Sequence, residues 1–505
     1  MPPYTGLAAA FVCVGPLPVW RTHPSSRHQL RADHSDGGRA PPPIGESDAG
    51  LLGLSLDELG LALGGSGRAV GVWGCLSSGL DPNIMEDGED PSDASVAAAW
   101  DAVQPTSAPL VAVEEQEKRH NGRMGRAAFQ RLQELMKRYR KANDEGGKEV
   151  IRTIENSIAT LSQLKTSNDG TTKLLLRMRK DGLEVESVII PWFDKGFSTL
   201  CVSSQVGVSS DSPLDFSSRR ESHLKPRQCK QGCTFCATGR MGKMRSLTTD
   251  EILVQRQLCG LPKRKWANVY YLRGMGEPAD NVEQVVPAVQ TLADRQMFGL
   301  AQSKITVSTV APDPSAFVEL GKAPSTLAWS VHAVDDELRR TLVPTTRHTM
   351  EELKTGLIEA LKGRSNKLRR TMLEVALIDG INDSDKEAQL LARFARSIMD
   401  EVKGSKVVVN VIPVWMISLC PQLRGLPQKS KPHFAFVASR PKYNPIDHPY
   451  YRAPSKERVL RFQQQITDNG VLCYVRTTRG DEEDAACGQL ATKKQKKKNL
   501  SVPHS

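Results

Sequence analysis

TLAWSVHA, residues 326–333, is apolar through Trp329 and then turns polar, at Ser330 and His332. Five other runs share its strand-like character: TLCVSS from 199, NVYYLRG (268–274), KITVST (304–309), TMLEVALI (371–378) and KVVVNVIP (406–413). Helical patterns mostly separate them: DEILVQRQLCG (250–260), NVEQVVPAVQTLAD, MEELKTGLIEALKG, DKEAQLLARFARSI and SKERVLRFQQQITDNG. The first has a capping box from Thr248 to Glu251 and a closing Gly260. Continuous apolar strands alternating with helices predict an α/β protein whose parallel sheet is covered by helices. Six units are fewer than the eight of a closed barrel, so the expected architecture is a partial, open (β/α)6 TIM-like barrel. Upstream, RAAFQRLQELMKRYRK (126–141) is spaced as an amphipathic helix, EVIRTIENSIATLSQL (149–164) predicts a second, and KLLLRMRK and LEVESVIIP predict strands. That stretch is the expected small accessory region.

In such sheets ligands bind at the carboxyl ends of the strands. Those ends carry the chemistry. CKQGCTFC (229–236) follows the first strand, GMGEP (274–278) the second; Ser308 ends the third, Ser330 and His332 the fourth, and Asn410 lies near the end of the sixth. The cysteines are one thiolate short of a structural zinc site. A [4Fe–4S] cluster normally takes four thiolates; three leave one iron open to a chelating substrate. The amino and carboxylate groups of S-adenosylmethionine (SAM) suit that position, and an electron from the cluster can split the sulfonium to give a 5′-deoxyadenosyl radical. Glu277 is placed to take the ammonium of SAM, beside glycines that allow close backbone approach. Phe235 before the last cysteine and GMGEP after the next strand sharpen a pattern that is only moderately specific alone. A lone His332 would more often be a core histidine.

Charge and composition bound the partners. The first 118 residues hold 6 basic and 16 acidic side chains, leaving 62 and 41 for the rest, a net of −10 against +21. The basic part suits a phosphate-rich partner, although charge alone equally fits a solvated surface. No apolar run reaches the ~18 residues that span a bilayer, so no membrane is expected. Ten cysteines in 505 residues, partly clustered, point to metal or redox chemistry rather than a disulfide scaffold. Residues 1–34, with one acid (Asp33) against Arg21, Arg27 and Arg31, have the composition of a transit peptide, which predicts an organelle, plastid or mitochondrion, with the cytoplasm as the other location. Residues 35–122 read as low-complexity, disordered chain with one isolated helix at LSLDELGLAL (54–63). The expected order is then an accessory domain at 123–198, a catalytic domain at 199–490 and a basic tail at 491–505.

From ESVIIP and TLCVSSQVG through CKQGCTFC, GMGEP, ITVST, SVHA, NVIP and YNPID to VRTTRGDEEDAACGQL, the chain resembles the radical-SAM rRNA and tRNA adenine methyltransferases of the RlmN/Cfr family. The resemblance runs from about 172 to 492. It implies methylation of carbon 2 of an adenine in large-subunit rRNA, and in tRNA, using a [4Fe–4S] cluster and two SAM molecules per turnover. Carbon 2 lies between two ring nitrogens and is not nucleophilic, so polar methyl transfer fails there. The family first methylates a cysteine, here Cys487; a radical from a second SAM takes a hydrogen from that methyl, and the methylene radical adds to the base. A second cysteine, here Cys201, attacks the thioether sulfur, forming a disulfide and releasing the product. The carboxylate taking the ring proton maps to Glu186. The cluster ligands map to Cys229, Cys233 and Cys236, and the SAM contacts to Gly276, Glu277, Ser308, Ser330, Val331, His332 and Asn410. A monomer with a ferredoxin or flavodoxin as electron donor is implied.

Three features depart from the family. VSSDSPLDFSSRRESHLKPRQ (208–228) and VWMISLCPQLRGLPQKSKPHFAFVASRPK (414–442) interrupt its pattern, and removing either restores it. Each begins with Val, whose codons start GT, and ends with Gln or Lys, whose codons can end AG; both are expected to be retained introns or insertions. STVAP stands where the family has STSG. Two other functions stay open: Cfr-type methylation at carbon 8, and a non-catalytic iron–sulfur RNA-binding protein.

Overall fold

Among the described residues between 197 and 475, strands and helices largely alternate because apolar β-branched runs and capped amphipathic helices alternate in the chain. The computed structural model describes residues 50–78, 82, 126–143, 149–151, 154–207, 229–236, 238, 244–259, 267–272, 274–413, 451 and 453–476, all within one unit that begins at Pro43. The blocks 208–228 and 414–442, the proposed leader and the basic tail lie outside the described residues, as do Gly260 and Cys487.

In chain order the elements are α1 (Leu56–Leu63), α2 (Ser66–Ser78), α3 (Arg126–Arg140), β1 (Lys141–Asn143), β2 (Glu149–Ile151), α4 (Ile154–Ile158), β3 (Ala159–Thr166), β4 (Thr172–Met178), β5 (Glu184–Trp192), β6 (Phe197–Val202), β7 (Gln205–Gly207) and β8 (Met244–Ser246). There follow α5 (Thr249–Gln257), β9 (Ala267–Leu272), α6 (Val282–Ala293), β10 (Ile305–Thr309), α7 (Ser315–Gly321), β11 (Thr326–Ser330), α8 (Asp336–Leu342) and α9 (Met350–Lys362). The last are β12 (Arg370–Leu377), α10 (Asp385–Glu401), β13 (Lys406–Pro413), α11 (Lys456–Asp468) and β14 (Leu472–Val475).

One ten-stranded sheet has the order β14-β13-β12-β11-β10-β9-β6-β5-β4-β3. The strands from β6 through β14 pair parallel, while β5, β4 and β3 extend the sheet antiparallel. The six predicted β/α units are present, and the helix after the sixth leads into a further short strand, β14. Among the described residues the sheet stays open, with β3 and β14 at its edges. Alternation divides its two faces. On β11, Leu327 and Trp329 face the helices, where the Trp329 ring meets Phe317 of α7 at 5.0 Å and Phe394 of α10 at 5.6 Å. Ala328 and Ser330 face the other way.

Two upstream expectations are corrected. Residues 149–164 are not one helix. Only Ile154–Ile158 is helical, and Ala159–Thr166 becomes β3, because the free edge of β4 supplies a ladder that a helix there would forfeit. The strand carries a bulge between Leu161 and Gln163, and its Leu161 and Leu164 are exposed, so helical spacing of apolar residues there signalled no buried stripe. Residues 50–78, read as linker with one isolated helix, form a packed helical hairpin. Leu51, Leu52, Leu54, Leu59, Leu63 and Trp73 are fully buried, and Trp73 meets Phe298 edge-on at 5.5 Å.

The Asp250 carboxylate anchors this hairpin. It accepts hydrogen bonds from Gly50 N and, at 2.7 Å, from Gly53 N. A Cβ at either glycine would lie 2.8 Å from the carboxylate, so nothing larger fits. Asp250 follows Thr248 and precedes Glu251, the two ends of the capping box that starts α5 as expected. Burial pushes its carboxyl from 3.8 to about 6, against the backbone amides that favour its charge. The folded chain therefore binds this proton more tightly than the unfolded one. Its contribution to stability is greatest below about pH 4 and falls as pH rises through about 6. Urea denaturation between these values should show that slope, and Asp250→Asn should flatten it. Asp250→Ala, which leaves two buried amides without an acceptor, should cost about 2–4 kcal/mol.

Candidate active site

The strand register gathers the polar residues that the sequence singled out. Ser330 is paired with Glu374, Glu374 with Asn410, and Ser308 with Ala328, so Ser308, Ser330, Glu374 and Asn410 share one face across four strands. Side-chain contacts agree. Ser308 Oγ donates to Glu374 Oε2 at 2.8 Å and lies 3.5 Å from Ser330 Oγ, and Asn410 Nδ2 donates to Glu374 Oε1 at 3.2 Å. Farther along the sheet, Cys201 on β6 is paired with Val188 of β5, two residues from Glu186. Period-two alternation puts Glu186 and Cys201 on one face as diagonal neighbours, an arrangement that typically spans ~7–8 Å. Glu186 is buried with Lys173 Nζ 3.5 Å from Oε1, and Cys201 is half-buried.

GMGEP packs against the turn after β6. Gly274 N donates to Val202 O, Met275 N to Ser203 Oγ, and Glu277 N to Gln205 Oε1 at 3.1 Å. Gly276 has φ 96°, and a Cβ there would meet the Gln205 side chain at 2.4 Å, so this position demands glycine twice over. The Glu277 carboxylate is held by Ala279 N at 3.0 Å and Val310 N at 2.9 Å. Burial raises it from 4.5 to about 7, opposed by those hydrogen bonds and one from Thr309. A carboxylate has room for more than two donors, so an ammonium can still approach, and its charge would hold Glu277 ionised.

The cysteine loop is fastened from three sides. Thr234 N donates to Leu342 O at 3.0 Å, Thr345 Oγ1 to Gln231 O at 2.9 Å, and Tyr451 Oη to Thr234 Oγ1 at 3.0 Å. Phe235 meets the His332 ring edge-on, 4.6 Å between centroids. Around the loop Phe235, Ala333, Leu342, Val343, Ala376 and Ile378 form an apolar cluster apart from the main core. Cys233 and Cys236 pack against it; burial pushes the Cys229 thiol up to about 12 and Cys233 well above its usual range, with the neighbouring cysteines adding to it. Burial that disfavours bare thiolates suits a cationic group that takes the place of the protons.

His332 is buried at φ 59°, its Nδ1 accepting from Ala376 N at 3.2 Å and its carbonyl from Asn382 Nδ2 at 2.8 Å. Val331 is wholly buried; its amide donates to Trp329 O and Glu374 O, and its carbonyl accepts from Arg339. Both lie beside the site with their groups largely engaged. Sequence reasoning passed over Glu374, Arg339 and Tyr451. Arg339, almost fully buried, donates to the carbonyls of Val310, Ser330 and Val331, which joins the ends of β10 and β11; burial lowers its guanidinium to about 10. A carboxylate inside the apolar run TMLEVALI was the one available signal for Glu374.

The radical SAM superfamily pattern matches residues 225–392. A radical SAM methyltransferase from Sphaerobacter thermophilus superposes with a TM-score of 0.53 at 26% identity, over 87% of this chain and 98% of that one. The dual-specificity RNA methyltransferase RlmN of Xanthomonas oryzae pv. oryzae (strain PXO99A) is 35% identical over 336 residues, 65% of this chain and 70% of the relative. The RlmN of Stenotrophomonas maltophilia (strain K279a) is 35% identical over 337 residues, with the same coverage. The chain belongs to the RlmN family. RlmN-type radical SAM chemistry implies a [4Fe–4S] cluster and SAM, and the donor set fits. Three soft sulfur ligands on one loop, two of them against an apolar cluster, suit iron–sulfur chemistry. Among the described residues no three His, Cys, Asp or Glu side chains converge on a single metal ion. A cube spreads its thiolates over separate irons, so it does not require that convergence.

Ala311, where the RlmN family has glycine in STSG, stands at φ 56° with its amide bonded to Thr309 Oγ1 at 2.8 Å. A left-handed non-glycine residue costs about 1–2 kcal/mol. Ala311→Gly should therefore raise stability by about 1 kcal/mol, read from the urea midpoint. Gly276→Ala should do the reverse, lowering stability by more than about 1 kcal/mol as Gln205 and Glu277 are pushed apart.

Proposed function

We propose that this protein methylates carbon 2 of an adenine in large-subunit rRNA, and in tRNA, through an S-methylcysteine intermediate. The observation carrying the proposal is the shared sheet face. It holds Glu186 and Cys201 in line with Ser308, Ser330 and Asn410, beside a three-cysteine loop. Cys229, Cys233 and Cys236 would hold the cluster; Gly276, Glu277, Ser308, Ser330, Val331, His332 and Asn410 would surround SAM. Bound there, the cluster and two SAM molecules supply the methyl group and the hydrogen-abstracting radical.

The chain's own residues do the rest. Glu277, fixed by the amides of Ala279 and Val310, takes the ammonium. Cys487 receives the methyl group on its sulfur and presents it to the base. Glu186 takes the proton from the ring carbon. Cys201 then attacks the Cys487 sulfur, which frees the methylated adenine and leaves a disulfide to be reduced before the next turnover. The target base must be unstacked to enter, which favours loops and strained RNA, and the net charge of +21 after residue 118 suits the RNA backbone. The catalytic domain is residues 199–490, and the accessory region combines the hairpin at 50–78 with residues 126–198. A ferredoxin or flavodoxin supplies electrons, and the protein acts as a monomer in an organelle.

Mass spectrometry of digested rRNA and tRNA, with and without this gene, tests the proposal: 2-methyladenosine should appear only with it. 8-Methyladenosine would transfer the protein to the Cfr-type reaction. An iron-loaded protein that leaves SAM intact under reduction would make it a binding protein. Cys201→Ala should accumulate a covalent RNA adduct through Cys487, visible on denaturing gels, and Cys487→Ala should abolish both adduct and methylation. Free product from Cys201→Ala at normal rates would refute the assignment of the two thiols.

A further inference from the structure

Glu374 contacts residues of β10 and β13 and the chain at the end of β11, three of the strands that border the proposed SAM site. It lies on β12 between Leu373 and Val375 and is fully buried. Its carboxylate accepts from Ser308 Oγ of β10 at 2.8 Å and from Asn410 Nδ2 of β13 at 3.2 Å. Through Ser308 it reaches Ser330 of β11, 3.5 Å away. Its main-chain carbonyl accepts from Val331 N at 3.0 Å and His332 N at 3.3 Å. Arg476 Nη1, 4.0 Å from Oε1, supplies a positive neighbour.

A carboxylate only accepts hydrogen bonds. That settles the direction of its neighbours. The Ser308 hydroxyl spends its hydrogen on Glu374 and keeps lone pairs for whatever lies beyond. The Asn410 amide turns its Nδ2 toward Glu374 and its Oδ1 away. Two side chains that could each donate or accept are thereby made acceptors toward the mouth. Their complement is a ligand with hydroxyl or amine donors, such as a nucleoside ribose and an exocyclic or α-amino group. We propose that Glu374 is a positioning residue that fixes the hydrogen-bond polarity of the SAM site, so that Ser308 and Asn410 accept from the donor groups of SAM. This rests on the SAM reading above.

The test uses the full-length, iron-reconstituted protein and equilibrium binding of SAM and of 2′-deoxy and 3′-deoxy SAM. Glu374→Gln has the same shape but can donate, so it releases both neighbours to reverse. It should weaken SAM binding about tenfold, the worth of one misdirected hydrogen bond, with iron content and Tm unchanged. It should also shrink the penalty the wild type shows for at least one deoxy analogue. Ser308→Ala added to Glu374→Gln should cost less than Ser308→Ala alone, because the two act through one bond. SAM affinity within about twofold of wild type in Glu374→Gln would overturn the proposal, given that one good hydrogen bond is worth more. So would strictly additive losses in the double variant, or an equal loss for all three ligands accompanied by loss of iron. A wild-type protein that binds no SAM would instead remove the functional reading beneath it.

Discussion

Everything in the site depends on the register of parallel strands. Strand side chains alternate with a period of two, so a one-residue slip between β11 and β12 would turn Glu374 toward the helices and Leu373 toward the ligand. The apolar alternates prevent it. Leu327, Trp329, Leu373 and Val409 are buried against the helical layer, and exposing any of them would cost about 1.5–3 kcal/mol. The polar face is therefore specified by the packing of its opposite face. Helix-side packing, which carries no chemistry, decides where the chemistry stands.

The turns after the strands add what register cannot. Chain that must pass close to other chain is glycine at 274 and 276, and the tight approach of Gln205 there orients the Glu277 amide. Arg339 holds three carbonyls at the ends of β10 and β11, and it lies close enough to Cys233 to oppose the rise of its thiol. The cysteine loop and the strand ends are thus one connected structure. Phe235 against His332, and Thr234 against Leu342 and Tyr451, complete the connection.

The strands of the sheet and the helices around it were legible in sequence wherever a residue's local environment matched its global one. Apolar runs such as ITVST and TLAWS are buried on both sides, and they form strands. Legibility failed where tertiary partners overrode local pattern. EVIRTIENSIATLSQL has helical spacing, but β4 offered its edge to Ala159–Thr166. LSLDELGLAL was legible as a helix but looked isolated, because glycine and serine surround it; Asp250, 200 residues away from Gly50, ties that stretch to the core. Among the site residues, those sitting in short motifs could be named. Glu374 acts through residues distant in sequence, and Arg339 through main-chain carbonyls, neither of which a motif displays.

The clasp on Asp250 has a consequence for truncation. Its donors are main-chain amides of Gly50 and Gly53, and beside them Leu51, Leu52 and Leu54 fill the core. Loss of chain upstream of Gly50 would leave these contacts in place. A cut beyond Leu54 would strip both amides from a sealed acid and empty three leucine sites at once. The fold in this way limits how far the chain can be shortened from its N-terminal side.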